Sequence, residues 1–115
     1  MRNLINKRSL GDKYYMSTDP INEIHHTKFV ETSEYRTMGE SIIIVRNTPS
    51  SKIVLDSITT TYIKIKALTN VIIIPFIGKI DEEYDEILIN KGACVEFYNI
   101  SNNWYILSSD GLKLE

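Results

Sequence analysis

Two runs of four consecutive apolar residues constrain this chain more than any other feature: Ile42–Val45 and Val71–Ile74. Alternate residues of a strand point to opposite faces, so each run is apolar on both faces. β-Branched residues fit a pleated sheet and lose side-chain freedom in a helix, and this chain has 19 Ile but only 2 Ala. Strands of this kind must be covered on both sides, by a second sheet or by another subunit. The sequence therefore predicts an all-β protein whose strands need a partner layer.

The length of 115 residues suits one hydrophobic core, and a chain of this size buries roughly two-thirds of its unfolded surface. The apolar runs are too short to cross a membrane, and the first residues contain no apolar stretch of signal-peptide length. Cys94 is the only cysteine, which excludes an internal disulfide and a zinc site built on several cysteines. We therefore expect a single-core protein with no membrane partner.

Residues 40–115 have the pattern of an all-β domain, because short apolar stretches alternate there with clusters of turn-forming residues. The predicted strands are 41–46, 52–56, 60–67, 71–76, 86–90, 93–99 and 104–109. Residues 47–51 and 99–103 are predicted to be the turns of two hairpins. Lys91-Gly92 is a third tight connection, and Asp110-Gly111 a late turn. We therefore predict a small antiparallel β-sandwich or barrel-like domain.

Residues 1–39 lack sustained alternation and are predicted to form an N-terminal arm with a short helix. Asp19-Pro20 is a good helix start, since Asp caps free N–H groups and Pro suits the first helical position, which predicts a helix over 20–28. Residues 1–13 carry a net charge of +3, whereas residues 81–115 carry −6. The arm suits docking to a protein partner, although a frayed terminus and contact with nucleic acid stay open. Its candidate docking residues are Arg2, Leu4, Ile5, Lys7, Arg8, Leu10 and Lys13.

Alternation assigns sides to two of the strands. Over 62–67, Ile63 and Ile65 point one way, whereas Tyr62 and Lys64 point the other. Over 93–98 the odd-numbered residues share a face opposite Cys94, Glu96 and Tyr98. Aromatic residues are abundant enough for a binding face, although in strands they more often pack across neighbouring strands. The candidate ligand face comprises Tyr84, Tyr98 and Trp104.

Residues capable of catalysis or metal binding are few. His25 and His26 are adjacent and would point about 100° apart on a helix, so they clamp one metal poorly. Cys94 has no basic neighbour in sequence and is expected to behave as a small apolar residue. The acidic run 81–86 is expected to be a solvated turn, with a Ca²⁺ site as the alternative. No nucleophile-elbow or phosphate-binding glycine motif is present, so we expect no enzymatic activity and no cofactor.

The last strands have a sequence pattern seen in one group of viral proteins. A strand over 93–99, an Asn-rich turn and then Asn103-Trp104-Tyr105-Ile106 follow each other, and Lys52–Leu55 and Val71–Pro75 fit the same pattern. This segment resembles the small β-rich modules of tailed-bacteriophage virion appendages, such as head fibres and tail fibres. Two features depart from that pattern: few glycines, and no repetitive shaft before the module. The resemblance implies a symmetric homo-oligomer, often a trimer.

These observations together predict a virion structural protein of a tailed bacteriophage. Its β-domain would form an oligomeric knob, and its N-terminal arm would anchor the knob to the capsid or tail. The expected partners are further copies of the chain and other virion proteins, and the expected location is the virion, after synthesis in the host cytoplasm. The alternative function is a module that binds a host-surface glycan or receptor through the aromatic face.

Overall fold

The computed structural model describes residues 26–112, and every regular element in this range is a β-strand. The strands are β1 (Thr27–Val30), β2 (Glu34–Arg36), β3 (Ile42–Val45), β4 (Ser50–Leu55), β5 (Tyr62–Ala67), β6 (Asn70–Pro75), β7 (Ile87–Ile100) and β8 (Asn103–Leu112). The prediction of an all-β fold is therefore confirmed for this part of the chain.

The strands form one sheet in the order β1-β3-β5-β7-β6-β4-β2, and β8 pairs with β7. β1, β3 and β5 run parallel to one another, as do β2, β4 and β6. Successive strands therefore alternate between two parallel groups, and the chain coils three times around the core before it reaches β7. In the first group Thr27, Ile42 and Lys64 lie side by side.

β7 joins the two groups because its 14 residues pair antiparallel with strands of both. Residues 87–89 pair with β6, and residues 94–98 pair with β5. Between these segments Gly92 has a φ of +97°, a backbone conformation that glycine adopts without the strain a side chain would add. The strand passes from one group to the other around this glycine, and the sheet becomes a nearly closed, barrel-like structure.

β7 and β8 form a hairpin with a two-residue turn. Ser101 and Asn102 both have positive φ values, 52° and 71°, as a type I′ hairpin turn requires. The other edge of β8 is partly covered by the loop between β6 and β7, since the Trp104 N–H donates to the Lys79 carbonyl over 2.9 Å. The predicted hairpin turn at 99–103 is confirmed, in a shorter form.

The two ends of the sheet are β1 and β2, which follow each other in the chain but do not pair. A cation–π contact links them instead: the Lys28 ammonium lies 5.4 Å from the centre of the Tyr35 ring. The Tyr35 hydroxyl in turn donates to a carboxylate oxygen of Glu40. Side chains, and not backbone hydrogen bonds, therefore connect the two ends of the described sheet.

Seven of the eight described strands contribute buried apolar residues to the core, and β2 contributes the half-buried Tyr35. β5 and β7 place alternate residues there, as their sequences predict, and the buried rings of Phe97 and Trp104 meet edge to face at 6.4 Å between centroids. Burying one such side chain stabilises the fold by roughly 1.5–3 kcal/mol before entropy is counted. The buried apolar residues are Val30, Ile43, Val45, Ile53, Leu55, Ile63, Ile65, Ala67, Val71, Ile73, Ile80, Ile87, Ile89, Ala93, Val95, Phe97 and Trp104.

A buried polar network fastens the two loops that carry the chain between the strand groups. The Thr37 hydroxyl accepts hydrogen bonds from the Asp56 N–H over 2.9 Å and from the Thr60 hydroxyl over 3.0 Å. Asp56 accepts from the Ile58 N–H over 2.8 Å and from Arg36 Nε over 2.9 Å. Because these buried groups satisfy one another, the β2–β3 and β4–β5 loops are held together at one end of the barrel.

Several predictions of local connection are wrong. The turn at 47–51 does not form a hairpin, because β3 and β4 belong to different groups and each pairs with parallel neighbours. Lys91-Gly92 is no turn but lies inside β7, and Asp110-Gly111 lies inside β8. A mixed sheet, with four parallel and three antiparallel strand pairings, replaces the expected antiparallel one.

Of residues 1–39, which are predicted to form the arm and its helix, the structure describes only 26–39. Residues 27 and 28, the last of the predicted helix 20–28, belong to strand β1, and residues 20–25 lie outside the described range. The sheet starts at Thr27, so β1 and β2 precede the boundary predicted at residue 40.

Candidate functional site on the outer faces of the sheet

Three tyrosines form a row on the outer side of β5, β7 and β8. Tyr62 is the register partner of Tyr98, and Tyr98 is the register partner of Tyr105. We call these three residues the tyrosine row. Directly opposite residues of antiparallel strands have Cβ atoms about 4.5–5.5 Å apart, so the row extends over about 10 Å. An aromatic surface of this length is wide enough to contact a small ligand.

Hydrogen bonds hold the two outer tyrosines of the row. The Tyr62 hydroxyl donates to Glu96 Oε2, and the other oxygen of Glu96 accepts from the Ser108 hydroxyl over 2.6 Å. The Tyr105 hydroxyl donates to Glu82 Oε2 over 2.8 Å. Each of these rings therefore has a fixed orientation, and a carboxylate lies beside it.

Burial and the same hydrogen bonds shift the pKa values of Tyr62, Glu96 and Tyr105. Burial, and then the hydrogen bond to Glu96, raise the pKa of Tyr62 to about 12. The hydrogen bonds from Ser108 and Tyr62 lower the pKa of Glu96, and the hydrogen bond to Glu82 raises the pKa of Tyr105. At neutral pH Tyr62 and Tyr105 are therefore neutral phenols, and Glu96 is a charged carboxylate.

Tyr98, at the centre of the row, is the residue most open to solvent. Its side chain is 40% exposed, and within residues 26–112 its hydroxyl has no hydrogen-bond partner. The ring face and the hydroxyl are both available to a ligand. This differs from Tyr62 and Tyr105, whose hydroxyls are already bonded to carboxylates.

Two loops next to the row are fastened to the β7–β8 hairpin. Asp81 Oδ1 accepts from the Ile106 N–H over 2.9 Å, which fixes the acidic turn next to Tyr105. On the other side the Asn99 amide donates to the Ser57 carbonyl over 3.2 Å, and the Ser57 hydroxyl bonds to Asn102 over 2.8 Å. A binding surface on rigid elements loses little entropy when a ligand binds.

A second outer face, on β4, β6 and the first part of β7, is aliphatic. Val54 is the register partner of Ile74, and Ile72 is the register partner of Leu88. We call these four residues the apolar face. Leu88 is 55% exposed and the other three are half-buried. Phe76, near one end of this face, is covered by the Arg36 guanidinium at 3.7 Å from its ring centre.

The three residues predicted for the ligand face do not lie together. Tyr98 is on the tyrosine row, but Trp104 is 0% exposed and packs in the core against Phe97, so it cannot stack on a ligand from solvent. Tyr84 is half-buried against the core, in a turn that bridges back to Ile80. The predicted docking residues of the arm, from Arg2 to Lys13, lie outside the described range, as does His25.

Tyr62 and Tyr105 are the members of the row that the sequence-based ligand face leaves out. Alternation already assigns Tyr62 and Tyr98 to the polar sides of their strands, but the pairing of those strands is not readable from the sequence. For Tyr105 a usable signal was present. A two-residue turn at 101–102 pairs Tyr98 with Tyr105 and Asn99 with Trp104, which turns Trp104 to the buried side.

The residues considered for metal binding are used in other ways. Asp81 and Glu82 bond to β8, and Asp85 forms an ion pair with Lys79 at 2.6 Å. Across residues 26–112, no group of three or more potential ligand side chains could hold a metal ion. Cys94 is half-buried on the outer side of β7, where Lys66 and Asp110 are its register partners.

Comparison with known proteins does not assign this fold to a family. No family model matches the chain, and no curated protein matches it significantly. In the described range, no helix has the length and hydrophobicity needed to cross a membrane.

Proposed function

We propose that this chain is a structural protein of a virion appendage, in which the barrel forms a knob that associates with further copies of itself. The observation that supports this proposal best is the apolar face. Side chains of Val54, Ile72, Ile74 and Leu88 are neighbours on the outside of the sheet, and Leu88 is exposed while the other three are half-buried in the described range. Contiguous apolar patches of this kind typically mark interaction sites.

A second copy of the chain is the occupant that fits this face best. Strands apolar on both faces occur where both faces are covered, and the inner face here already covers the core. A stable interface buries about 800 Å² per partner, more than these four side chains supply, so the contact must extend to neighbouring residues such as Lys52. Closed rotational symmetry repeats one such contact, and the resemblance to phage appendage modules favours a trimer.

The attachment of the knob is proposed to involve the N-terminal arm. The candidate docking residues of the arm, within residues 1–13, carry four positive charges and three apolar side chains, a combination suited to docking on an acidic, partly apolar protein surface. The arm would then bind a protein of the capsid or the tail.

Sedimentation velocity of the full chain at micromolar concentration tests the self-association. We expect a species several times the 13.3 kDa of one chain. Leu88→Lys should shift the protein towards the monomer, because a charge on the apolar face disfavours association. Leu107→Lys is the matched control, since Leu107 is 57% exposed but lies on β8, outside the apolar face. A monomeric parent chain, or equal behaviour of the two variants, would contradict the proposed interface.

Immunogold electron microscopy tests the virion role. Antibodies against the barrel should label intact particles released from cells that carry the gene. Deletion of residues 1–18 should abolish the labelling but leave the fluorescence of the buried Trp104 unchanged, since the arm is proposed to attach and not to fold the knob. Unlabelled particles would overturn the virion role, and undiminished labelling after the deletion would overturn the role of the arm.

A further inference from the structure

The tyrosine row combines two properties: adjacent aromatic rings and fixed hydroxyl groups at both ends. Its three rings lie side by side across three adjacent strands, and its outer hydroxyls are bonded to carboxylates. The middle ring, Tyr98, is the exposed one and its hydroxyl has no bonding partner in the part of the chain that the structure describes. A surface with oriented outer rings and an open central ring is suited to a ligand that needs both stacking and hydrogen bonds.

Sugars are ligands of this kind. The axial C–H groups of a pyranose form an apolar face that packs on an aromatic ring, while its hydroxyl groups lie around the rim and both donate and accept hydrogen bonds. Aromatic rings supply the stacking surface and a few well-placed polar groups fix the orientation. Here Glu96 and Glu82 accept, the Ser108 hydroxyl can do both, and the Tyr98 hydroxyl is open.

The charges around the row select among ligands that stack on aromatic rings. Lys64 is the register partner of Glu96, two residues along the strands from Tyr62 and Tyr98. Further along, Lys66 is the register partner of Cys94, and Cys94 is the register partner of Asp110. With Glu82 and Asp81 beside Tyr105, two positive groups face four negative ones. Single-stranded nucleic acids also stack on aromatic side chains, but they bind in positively charged grooves. The net negative charge around the row therefore disfavours a polyanion such as nucleic acid and is compatible with a neutral ligand.

From this geometry and charge we propose that the tyrosine row is a binding site for a neutral glycan chain. A run of about 10 Å across three strands suits a short oligosaccharide lying across β5, β7 and β8. Stacking centres on Tyr98, and Tyr62 and Tyr105 extend the surface to both sides. This site is independent of the proposed self-association, because it lies on the other outer face of the sheet.

Affinity gel electrophoresis of the full chain tests this site. The gels contain amylose, dextran, mannan or soluble chito-oligosaccharides as neutral probes, hyaluronan as the acidic probe, and separate gels contain oligo-deoxythymidine. We expect at least one neutral probe to retard the protein. Tyr98→Ala should weaken that retardation at least ten-fold, because the central stacking surface is lost. Since Tyr98 is partly exposed and its hydroxyl is not bonded, we expect this variant to keep the fold.

Leu68→Ala is the matched control, because Leu68 is 44% exposed and lies beyond the opposite end of β5 from Tyr62. It should bind like the parent, and so should Leu88→Lys on the apolar face. Fluorescence of Trp104 verifies that each variant is folded, and Tyr98→Leu provides a second substitution if the alanine variant is not. Retardation by none of the neutral probes, retardation by hyaluronan or oligo-deoxythymidine alone, or unchanged binding of the folded Tyr98 variant would overturn the proposal.

Discussion

The two outer faces of this barrel share one strand and yet differ in chemistry. β7 contributes Tyr98 and Glu96 to the tyrosine row side and Leu88 to the apolar face, with Gly92 between them. Even-numbered residues face outwards in both segments, so the strand keeps its alternation as it changes partners. Beneath both faces the buried residues are similarly apolar. The difference between the faces is therefore set by outward residues alone, which can change without affecting the core.

The largest effect should come from removing the core support of one face at a time. Phe97 lies inward between Glu96 and Tyr98, and Ile87 lies inward next to Leu88. Phe97→Ala should lower the free energy of unfolding by about 4 kcal/mol and Ile87→Ala by about 3 kcal/mol, since each leaves a cavity in the core. Urea denaturation followed by circular dichroism measures both, and avoids the change that Phe97→Ala causes around Trp104.

Phe97→Ala and Ile87→Ala also test whether each outer face depends on the core residue beneath it. Where the variants still fold, Phe97→Ala should weaken glycan binding and leave self-association intact, and Ile87→Ala should do the reverse. A loss of less than about 1 kcal/mol for Phe97→Ala would contradict its role as the support of the tyrosine row.

Asp56 should give the next largest effect, because its network fastens the loops between the two strand groups. The hydrogen bond from the Ile58 N–H, together with the Arg36 guanidinium, lowers the pKa of Asp56. Asp56→Asn keeps the shape but loses the charge, and should cost about 2 kcal/mol at pH 7, as for other hydrogen bonds to charged groups. Chemical denaturation with Trp104 fluorescence measures the loss.

The pH dependence has a definite sign. The folded pKa of Asp56 lies below its value of 3.8 in an unfolded chain, so its contribution is present above pH 4 and is lost as the pH falls through the lowered pKa. The stability of the parent should therefore approach that of Asp56→Asn as the pH falls below 4. Asp85→Asn is the control, since this exposed carboxylate pairs with Lys79 on the surface and should change stability by less than about 1 kcal/mol. A constant difference between parent and Asp56→Asn from pH 7 to pH 2 would contradict the assignment.

The alternation within strands was readable from the sequence, whereas the pairing between strands was not. The odd-numbered residues of 93–98 point inwards as predicted, because a strand has a period of two wherever it pairs. The turn after β3 and the turn after β7 look alike in sequence: both are short, and each contains Asn with positive φ at Asn47 or Asn102. One turn carries the chain to the opposite group and the other forms a hairpin, since the choice depends on partners far away in the chain.

The tyrosine row depends on this long-range information. Tyr62 and Tyr98 are 36 positions apart, and only the antiparallel register of β5 and β7 makes them neighbours. The sequence places Trp104 wrongly on the surface for a more local reason. Residues 104–107 of β8 are all apolar, so alternation does not show which of them point inwards, and a shift of one residue in the hairpin register exchanges the two faces. The composition is enough to predict that the chain forms strands. Which aromatic side chains are exposed depends on the register between strands, which the composition does not contain.

The smallest effect should come from removing single phenolic hydroxyls. Tyr62 on the tyrosine row donates to Glu96, and Tyr35 on β2 donates to Glu40. In both, burial and the neighbouring carboxylate raise the pKa to about 12 from 10.0. Tyr62→Phe and Tyr35→Phe should each cost about 1 kcal/mol at pH 7, the usual net contribution of one hydrogen bond. Because an unfolded tyrosine releases its proton near pH 10, this stabilisation is lost as the pH rises from about 10 to about 12. The decline in parent stability over that range should therefore be shallower in each variant, as measured by urea denaturation.

Tyr98→Phe provides the comparison within the row. Its hydroxyl has no described partner, so its removal should change stability by less than about 0.5 kcal/mol. Equal losses for Tyr62→Phe and Tyr98→Phe would show that the hydrogen bond to Glu96 does not distinguish the fixed rings of the row from the open one.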